Sequence, residues 1–349
     1  MKKILFLSYL DRNYSRSGAL YSALEKYSSD TIAHLQYQPA NLRNFYRLIN
    51  VLRHEDSLDT LVVVMSPSHL LAIIIRPFFK GPIILDAGWP LSDSSEIRAG
   101  KLSIRFLMDV LIDRIAMKLA DLVLLESKNQ KNILKKRKFS FRNEPEVIFT
   151  GLVEERFRNY RDQSKRSLLN FNKDDRRLTV VFRGNWNEEA GLERLDEIFS
   201  EKSDKFRLII CSSNLPRHYP RQKATLYVSG RMSDEQLAQV FQKSDLAIAQ
   251  FGESKRIARS IPHKVYEYAY FGIPTICLED SAAREVFNDN EFYFISYDFL
   301  GTFLNQLGEN IEDSRKELAK RSLLVRKTYQ ERCSQKAIAK NFQFLVDRF

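Results

Sequence analysis

The apolar positions of this chain fall in short unbroken runs rather than in strict alternation. In the first half they occupy residues 4–10, 31–35, 60–65, 83–86, 122–125 and 147–149, and in the second half residues 178–182, 206–211, 225–228, 246–249, 275–277 and 292–295. Several are framed by turn residues, as by Ser66-Pro67 after Met65 and Gly81-Pro82 before Ile83. Short runs of this kind are strands covered on both faces, which is the mark of a parallel sheet. Between them lie segments with apolar residues at helical spacing, among them 18–27, 41–54 (Phe45, Leu48, Ile49, Leu52) and 98–119. The tail from Ser314 carries no Gly or Pro and is predicted helical to the end. A polar, charged stretch at 159–177 interrupts the alternation and reads as a linker. The prediction is an α/β protein of two domains with doubly wound parallel sheets, 1–165 and 172–331, with a helix at about 332–349 packing back on the first. Domains built this way offer strand C-termini to the cleft between them, where ligands bind.

Composition narrows the class. At 349 residues the chain exceeds one ordinary domain, and 44% hydrophobic with 28% charged residues supports packed cores and excludes compositional disorder. No internal repeat at a fixed period is visible. The net charge of +11 is uneven: residues 1–170 carry 27 Lys and Arg against 18 Asp and Glu, residues 171–349 carry 28 against 26. A basic first half suits an anionic partner, a lipid surface or a phosphorylated substrate, or is merely a solvated basic face. Cys211, Cys277 and Cys333 are far apart and odd in number, with neither metal-ligand spacing nor a disulfide framework, so reduced thiols are expected. The apolar run after Met1-Lys2-Lys3 is too short for a secretory signal, and no run reaches the ~18 apolar residues of a membrane span. A cytoplasmic location follows as an expectation, peripheral at the inner face of the membrane if the basic half meets lipid.

The densest chemistry lies in Ser260-Ile-Pro-His-Lys-Val-Tyr-Glu-Tyr-Ala-Tyr-Phe-Gly-Ile-Pro-Thr-Ile276. Pro262 suits a helix start, where its missing N–H costs nothing. The first free amides, about Lys264 and Val265, form a positive helix end able to hold a phosphate, and Lys264 adds a full charge. Glu267 follows roughly 4.5 Å further along the helix axis. Gly272 and Pro274 stop the helix. This segment resembles the donor site of the retaining GT-B glycosyltransferases of glycosyltransferase family four, through Pro262, Lys264, Glu267, Tyr268, Gly272 and Pro274 in that spacing. Ala120–Ser127, 147–157, Ser229–Leu237 and Ser244–Ile248 are similar to further family segments in the same order. The resemblance implies the GT-B fold, a nucleoside-diphosphate sugar as donor substrate, no metal and no cofactor. It also implies that Glu267 accepts the ribose hydroxyls and that groups near Gly230 and Arg231 meet the base. Ser233 with Gln236 reads independently as a capping box.

Departures bear on the phosphate site. The family's Gly-Arg, then Lys-Gly, holds the donor diphosphate after the first strand of domain two. Here Phe182-Arg183-Gly184-Asn185 runs on to Ala190-Gly191, so Asn185 and Ala190 stand where the cations would be. Arg183 is adjacent, although successive strand residues point to opposite faces. Lys255, Arg256 and Arg259 replace the lost charge or form a solvated loop. The family's frequent Glu, separated from the second by seven residues, is absent, and Arg259 stands there. On the acceptor side the resemblance points to Gly18 in the glycine-bearing loop after strand one and to Asp86, which either positions an acceptor hydroxyl or caps a turn. His69 reads as the first turn of a helix. The expected catalytic residues are thus Asp86, Lys264 and Glu267. The expected donor-binding residues are Gly18, Arg183, Gly184, Asn185, Gly230, Arg231, Arg259, Pro262 and Val265.

Two features bear on membranes. Lys135-Lys136-Arg137-Lys138, with Arg142, is a basic patch suited to anionic lipid. Residues 98–119 read as one amphipathic helix whose apolar face (Leu102, Phe106, Leu107, Val110, Leu111, Ile115) packs into the core or lies in an interface, core packing being the expectation. No nucleic-acid motif accompanies the patch, and no nucleic-acid partner is expected. The expected function is transfer of a sugar to a saccharide acceptor, lipid-linked or a cell-surface polysaccharide, with retention. The alternative is a degenerate relative that binds a sugar nucleotide or polysaccharide without turnover. Glu267→Ala is expected to abolish donor use and leave the fold intact.

Overall fold

The computed structural model describes residues 2–11, 15–37, 42–55, 59–160, 176–216, 225–252 and 254–349. Most of the linker read at 159–177, and Glu253 in the charged loop, lie outside the described residues. The chain divides into two compact units: Met1–Val153 with Cys333–Phe349, and Glu154–Arg332. The boundary falls before the polar stretch because Phe157 belongs to the second unit, buried against Phe241, Tyr270 and Phe271.

The first unit runs β1 (Lys3–Ser8), α1 (Ser15–Tyr27), β2 (Thr31–Gln36), α2 (Leu42–His54), β3 (Thr60–Met65), α3 (His69–Ile75), β4 (Ile83–Asp86), α4 (Leu91–Ala99), α5 (Ile104–Leu119), β5 (Leu122–Leu125), α6 (Lys128–Lys136) and β6 (Glu146–Val147). The strands form one parallel sheet ordered β2-β1-β3-β4-β5-β6. Alternate residues of each strand sort to opposite faces, as pleating requires. Leu5, Val62, Val64, Leu85 and Val123 pack on one face with Leu48, Leu71 and Met117 from α2, α3 and α5. Ile4, Phe6, Val63, Ile84 and Leu124 pack on the other with Leu20 and Leu24 of α1 and with Ile338 and Phe342 of the C-terminal helix. Both faces are covered, which is why these strands read as unbroken apolar runs.

The second unit runs α7 (Glu155–Arg158), β7 (Leu178–Arg183), α8 (Leu192–Glu201), β8 (Phe206–Ser212), β9 (Thr225–Ser229), α9 (Asp234–Gln242), β10 (Leu246–Ile248), α10 (His263–Phe271), β11 (Thr275–Leu278), β12 (Tyr293–Ile295), α11 (Leu300–Glu309) and α12 (Ile311–Arg332). Its sheet is parallel, ordered β12-β11-β10-β7-β8-β9. The chain then returns to the first unit as α13 (Gln335–Val346). Both units are Rossmann-like.

Two helices differ from the sequence reading. Residues 98–119 are not one helix: α4 ends at Gly100 with φ +77°, and α5 starts afresh where the Ser103 side chain accepts from the Phe106 amide. The tail also breaks, at Cys333-Ser334, where the Ser334 side chain accepts from the Ala337 amide and starts α13. In both cases a serine cap starts a new helix within a stretch that reads as one. All three cysteines are buried and free. Among the described residues no helix is long and apolar enough to cross a membrane.

Candidate functional site

The site is built where β7 ends and α10 begins, both within the second unit. Pro262 occupies the N-cap of α10, and the Val265 amide is already held by the Pro262 carbonyl at 2.9 Å. Val265 is therefore not a free donor, and the open end of the helix consists of the His263 and Lys264 amides. At the other end Gly272 takes φ +74°, and the Ile273 amide reaches back to the Tyr268 carbonyl at 2.9 Å. That left-handed stop is open to glycine at little cost.

Lys264 is buried, with Nζ 3.8 Å from the centroid of the Phe182 ring. A Cβ on Gly184 would lie 2.7 Å from that Nζ, so the absence of a side chain there makes room for the ammonium. Burial first, and then the Arg183 charge, push its pKa down from 10.5 to about 7, against the opposing pull of Glu267 and Glu189. Glu267 is fully buried. Arg183 lies 3.3 Å from one carboxylate oxygen, Arg156 3.7 Å and His263 3.5 Å from the other. Neither oxygen accepts a hydrogen bond of good geometry from the described protein groups. Burial would raise its pKa, but His263, Arg183 and Arg156 outweigh burial and hold it below the usual carboxylate range. The next residue, Tyr268, locks the strand end in place: its hydroxyl accepts the Arg183 amide at 2.7 Å.

The structure thus brings Arg183, Gly184, Pro262, Lys264 and Glu267 together. Arg183, at the end of β7, reaches Glu267 with Nη1 3.3 Å from the carboxylate. Asn185 is exposed, with its side-chain oxygen 3.2 Å from Ser213 Oγ. Ala190 is buried in the core beside Gly191 and Leu192. In the charged loop Arg256 is drawn to Glu189 at 3.4 Å, Lys255 is exposed and Arg259 is half-buried. Gly230 (φ +96°) and Arg231 are exposed after β9, and Ser233 and Gln236 form the capping box that opens α9.

Sequence reasoning missed Arg156, His263 and Asp234. Arg156 Nη2 pairs with Asp234 at 2.5 Å, and the guanidinium lies over the Phe157 ring at 5.1 Å. Nothing in the spacing joins positions 156, 234 and 267. His263, four residues before Glu267 on the same helix, was within reach of the i, i+4 rule.

In the first unit Gly18 is buried inside α1 rather than at its start, because the helix begins at Ser15. Asp86 ends β4 and is fully buried. Arg16 grips it through Nε at 2.9 and 3.0 Å and Nη2 at 2.8 Å, and ties it to the Ile148 carbonyl and Thr150. Gly88 leaves room for Arg16, whose Nε would lie 2.3 Å from a Cβ there. Removing one partner of a buried ion pair costs ~3–5 kcal/mol, so Asp86→Asn should lose about that in denaturant unfolding. A loss under about 1 kcal/mol would show that the pair carries no structural weight. His69 is buried in the first turn of α3.

No protein-family profile and no curated protein matches the chain. Solved structures do. Sucrose-phosphate synthase from Thermosynechococcus elongatus aligns over 100% of this chain and 99% of its own, with a TM-score of 0.71 at 13% identity. The Anabaena protein HepE in complex with UDP aligns over 100% of both chains, with a TM-score of 0.72 at 12% identity. A UDP-forming trehalose-phosphate synthase from Burkholderia xenovorans aligns over 99% of this chain and 98% of its own, with a TM-score of 0.63 at 9% identity. These likenesses establish the fold, which is GT-B: two Rossmann-like units with parallel six-stranded sheets.

Proposed function

We propose that the chain is a glycosyltransferase that takes a sugar from a nucleoside-diphosphate sugar. The observation that carries this reading is Glu267: a buried, ionised carboxylate whose two oxygens lack well-formed hydrogen bonds, one turn into a helix that opens on Lys264. Arg183, Arg156 and His263 stand 3.3–3.7 Å away without a well-formed hydrogen bond, so both oxygens keep acceptor capacity for a donor from outside the chain. Two vicinal ribose hydroxyls supply it. The diphosphate then meets the His263 and Lys264 amides, the Lys264 ammonium and the Arg183 guanidinium. Solved neighbours support the donor class: the Anabaena protein was determined with UDP and with UDP-glucose.

The chemistry that fits is electrostatic. The leaving diphosphate gains charge as the glycosidic bond breaks, and preorganised cations at that point lower the barrier most. No metal is needed in this reading. Transfer proceeds with retention, the acceptor attacking from the side of the departing phosphate. The first unit is assigned to the acceptor, a saccharide that is lipid-linked or part of a cell-surface polysaccharide at an anionic membrane surface, while Asp86, buried against Arg16, holds that unit's strand end rather than an acceptor hydroxyl. A second reading, binding without turnover, rests on the exposed Asn185 and the buried Ala190, which stand where the family this sequence resembles carries cations.

Thermal unfolding against a panel of nucleoside-diphosphate sugars tests the donor. At 100 times the dissociation constant the correct compound should add ~2.7 kcal/mol of stability. A panel with no stabilising member would overturn the donor assignment. Stabilisation without release of nucleoside diphosphate, across a range of saccharide acceptors, would favour the second reading.

A further inference from the structure

We propose that α4 and α5 together form a docking face for an anionic lipid surface. The proposal rests on the membrane-surface part of the reading above and not on the donor chemistry.

The observation is a helix turned the unexpected way round. Core packing was the expectation for the apolar residues of 98–119, yet the inner side of α5 buries Asp113, Ala116 and Met117. Asp113 is the anchor: its carboxylate accepts the Leu91 and Ser92 amides at 3.2 and 2.9 Å and the Ser92 hydroxyl at 2.7 Å. One carboxylate on α5 thereby caps the N-terminus of α4, where Pro90 supplies no side-chain cap. The apolar stripe is left facing out. Leu102 is 97% and Ile104 77% exposed, and Leu107, Met108 and Leu111 are each more than half exposed, with Ile115 in line. From Ile104 these α5 positions step by three and four residues, which confines them to an arc of ~100° on one side of the helix.

Charge decides what covers the stripe. Arg98 and Lys118 are exposed around it, Lys101 and Arg105 are exposed but lie 3.4 Å from Glu96 and 4.0 Å from Asp109, and Asp113 points inward. A second copy of the chain would set these cations against themselves in a two-fold contact. A soluble apolar partner would leave Arg98 and Lys118 unanswered. An anionic bilayer answers both features: the aliphatic stripe enters the headgroup boundary, the cationic stems snorkel, and their ends meet lipid phosphates. At 16 residues α5 spans ~24 Å, enough to lie flat across several headgroups. The basic patch picked out in the sequence is a weaker candidate. Lys135 is paired with Glu144, Arg137 with Asp93 and Glu96, and Arg142 with Asp121.

Sedimentation with vesicles of equal parts phosphatidylglycerol and phosphatidylcholine, and with phosphatidylcholine alone, tests this. The full chain should bind the anionic vesicles. The double variant Leu107→Ser, Leu111→Ser should bind at least tenfold more weakly. Arg105→Gln with Lys118→Gln should weaken binding severalfold and flatten its salt dependence, because exposed charges are screened over ~10 Å at 0.1 M salt. Lys135→Gln with Lys136→Gln should bind nearly as wild type. These side chains are exposed, so the fold is retained, and the donor-induced thermal shift should be the same in wild type and the leucine variant. A wild type that ignores anionic vesicles, or a leucine variant that binds them equally well, overturns the proposal. So does a concentration-dependent dimer abolished by the leucine substitutions, which would assign the face to a second copy. Vesicle binding without any donor shift would overturn the donor assignment and leave the docking face standing.

Discussion

Replacing Glu267 by Gln should abolish nucleotide-sugar binding and lower the stability of the second unit together. The sequence alone led to a cleaner expectation, loss of donor use in Glu267→Ala with the fold untouched. The structure revises it. Glu267 is fully buried, and Arg183, Arg156 and His263 converge on it. Neutralising the carboxyl leaves those positive groups with one countercharge fewer, and breaking a buried ion network from one side costs ~3–5 kcal/mol. Gln keeps the volume, so the loss reports charge rather than a cavity. The pH dependence has a defined sign. The folded protein holds this carboxyl below its ordinary value of 4.5, so its contribution is fully present above about pH 4.5 and disappears as pH falls toward the folded value. Wild type should show that acid-side loss and the Gln variant should lack it. Urea unfolding from pH 3 to 7, with calorimetric titration of the nucleotide sugar at pH 7, measures both effects. A Gln variant that binds donor as tightly as wild type would rule Glu267 out as the ribose ligand.

How much of this could be read beforehand depends on the range over which the residues act. The strands and their parallel arrangement were legible because burial on both faces leaves an unbroken apolar run, as at Thr60–Met65, where every residue is buried. The Pro262–Pro274 segment was legible because helix start, charge, carboxylate and stop lie within one helix and act locally. Arg156 was not: α7 carries it to Glu267 from more than a hundred residues upstream, and the burial of Phe157 against Phe241, Tyr270 and Phe271 and the pair with Asp234 fix that approach. The outward face of α5 was illegible for a related reason. Periodicity identifies an apolar stripe but not the side on which it lies. The inward side carries Asp113, whose partners Leu91 and Ser92 sit on another helix, together with Ala116 and Met117 packed in the core.

Lys264→Met should make the unliganded protein more stable at pH 7 and at the same time remove most of its affinity for a nucleoside diphosphate. The opposite signs follow from one fact, that the ammonium is buried ahead of its ligand. Its pKa is pushed down from 10.5 to about 7. The sign runs against the usual lysine case: below about pH 7 folding must bury a charged amine, and the penalty is fully present, at most about 5 kcal/mol. Between about pH 7 and 10.5 the folded amine is neutral while the unfolded one is still charged, and the penalty fades as pH rises. Methionine keeps an unbranched stem over the Phe182 ring and needs no countercharge. Replacing buried charge with fitting apolar atoms is often stabilising by ~1–4 kcal/mol, and for a unit of this size each kcal/mol moves Tm by ~2–4 °C. An incoming diphosphate reverses the balance, since two phosphates beside the amine favour its charged form. Binding at pH 8 should therefore take up a proton, approaching one per ligand. Titration calorimetry in buffers of different ionisation enthalpy measures that uptake, which should vanish in the Met variant. A Met variant less stable than wild type at pH 7, or donor binding with no proton uptake at pH 8, would show that Lys264 is a structural ammonium held by Glu267 and Glu189 rather than a phosphate ligand kept in reserve.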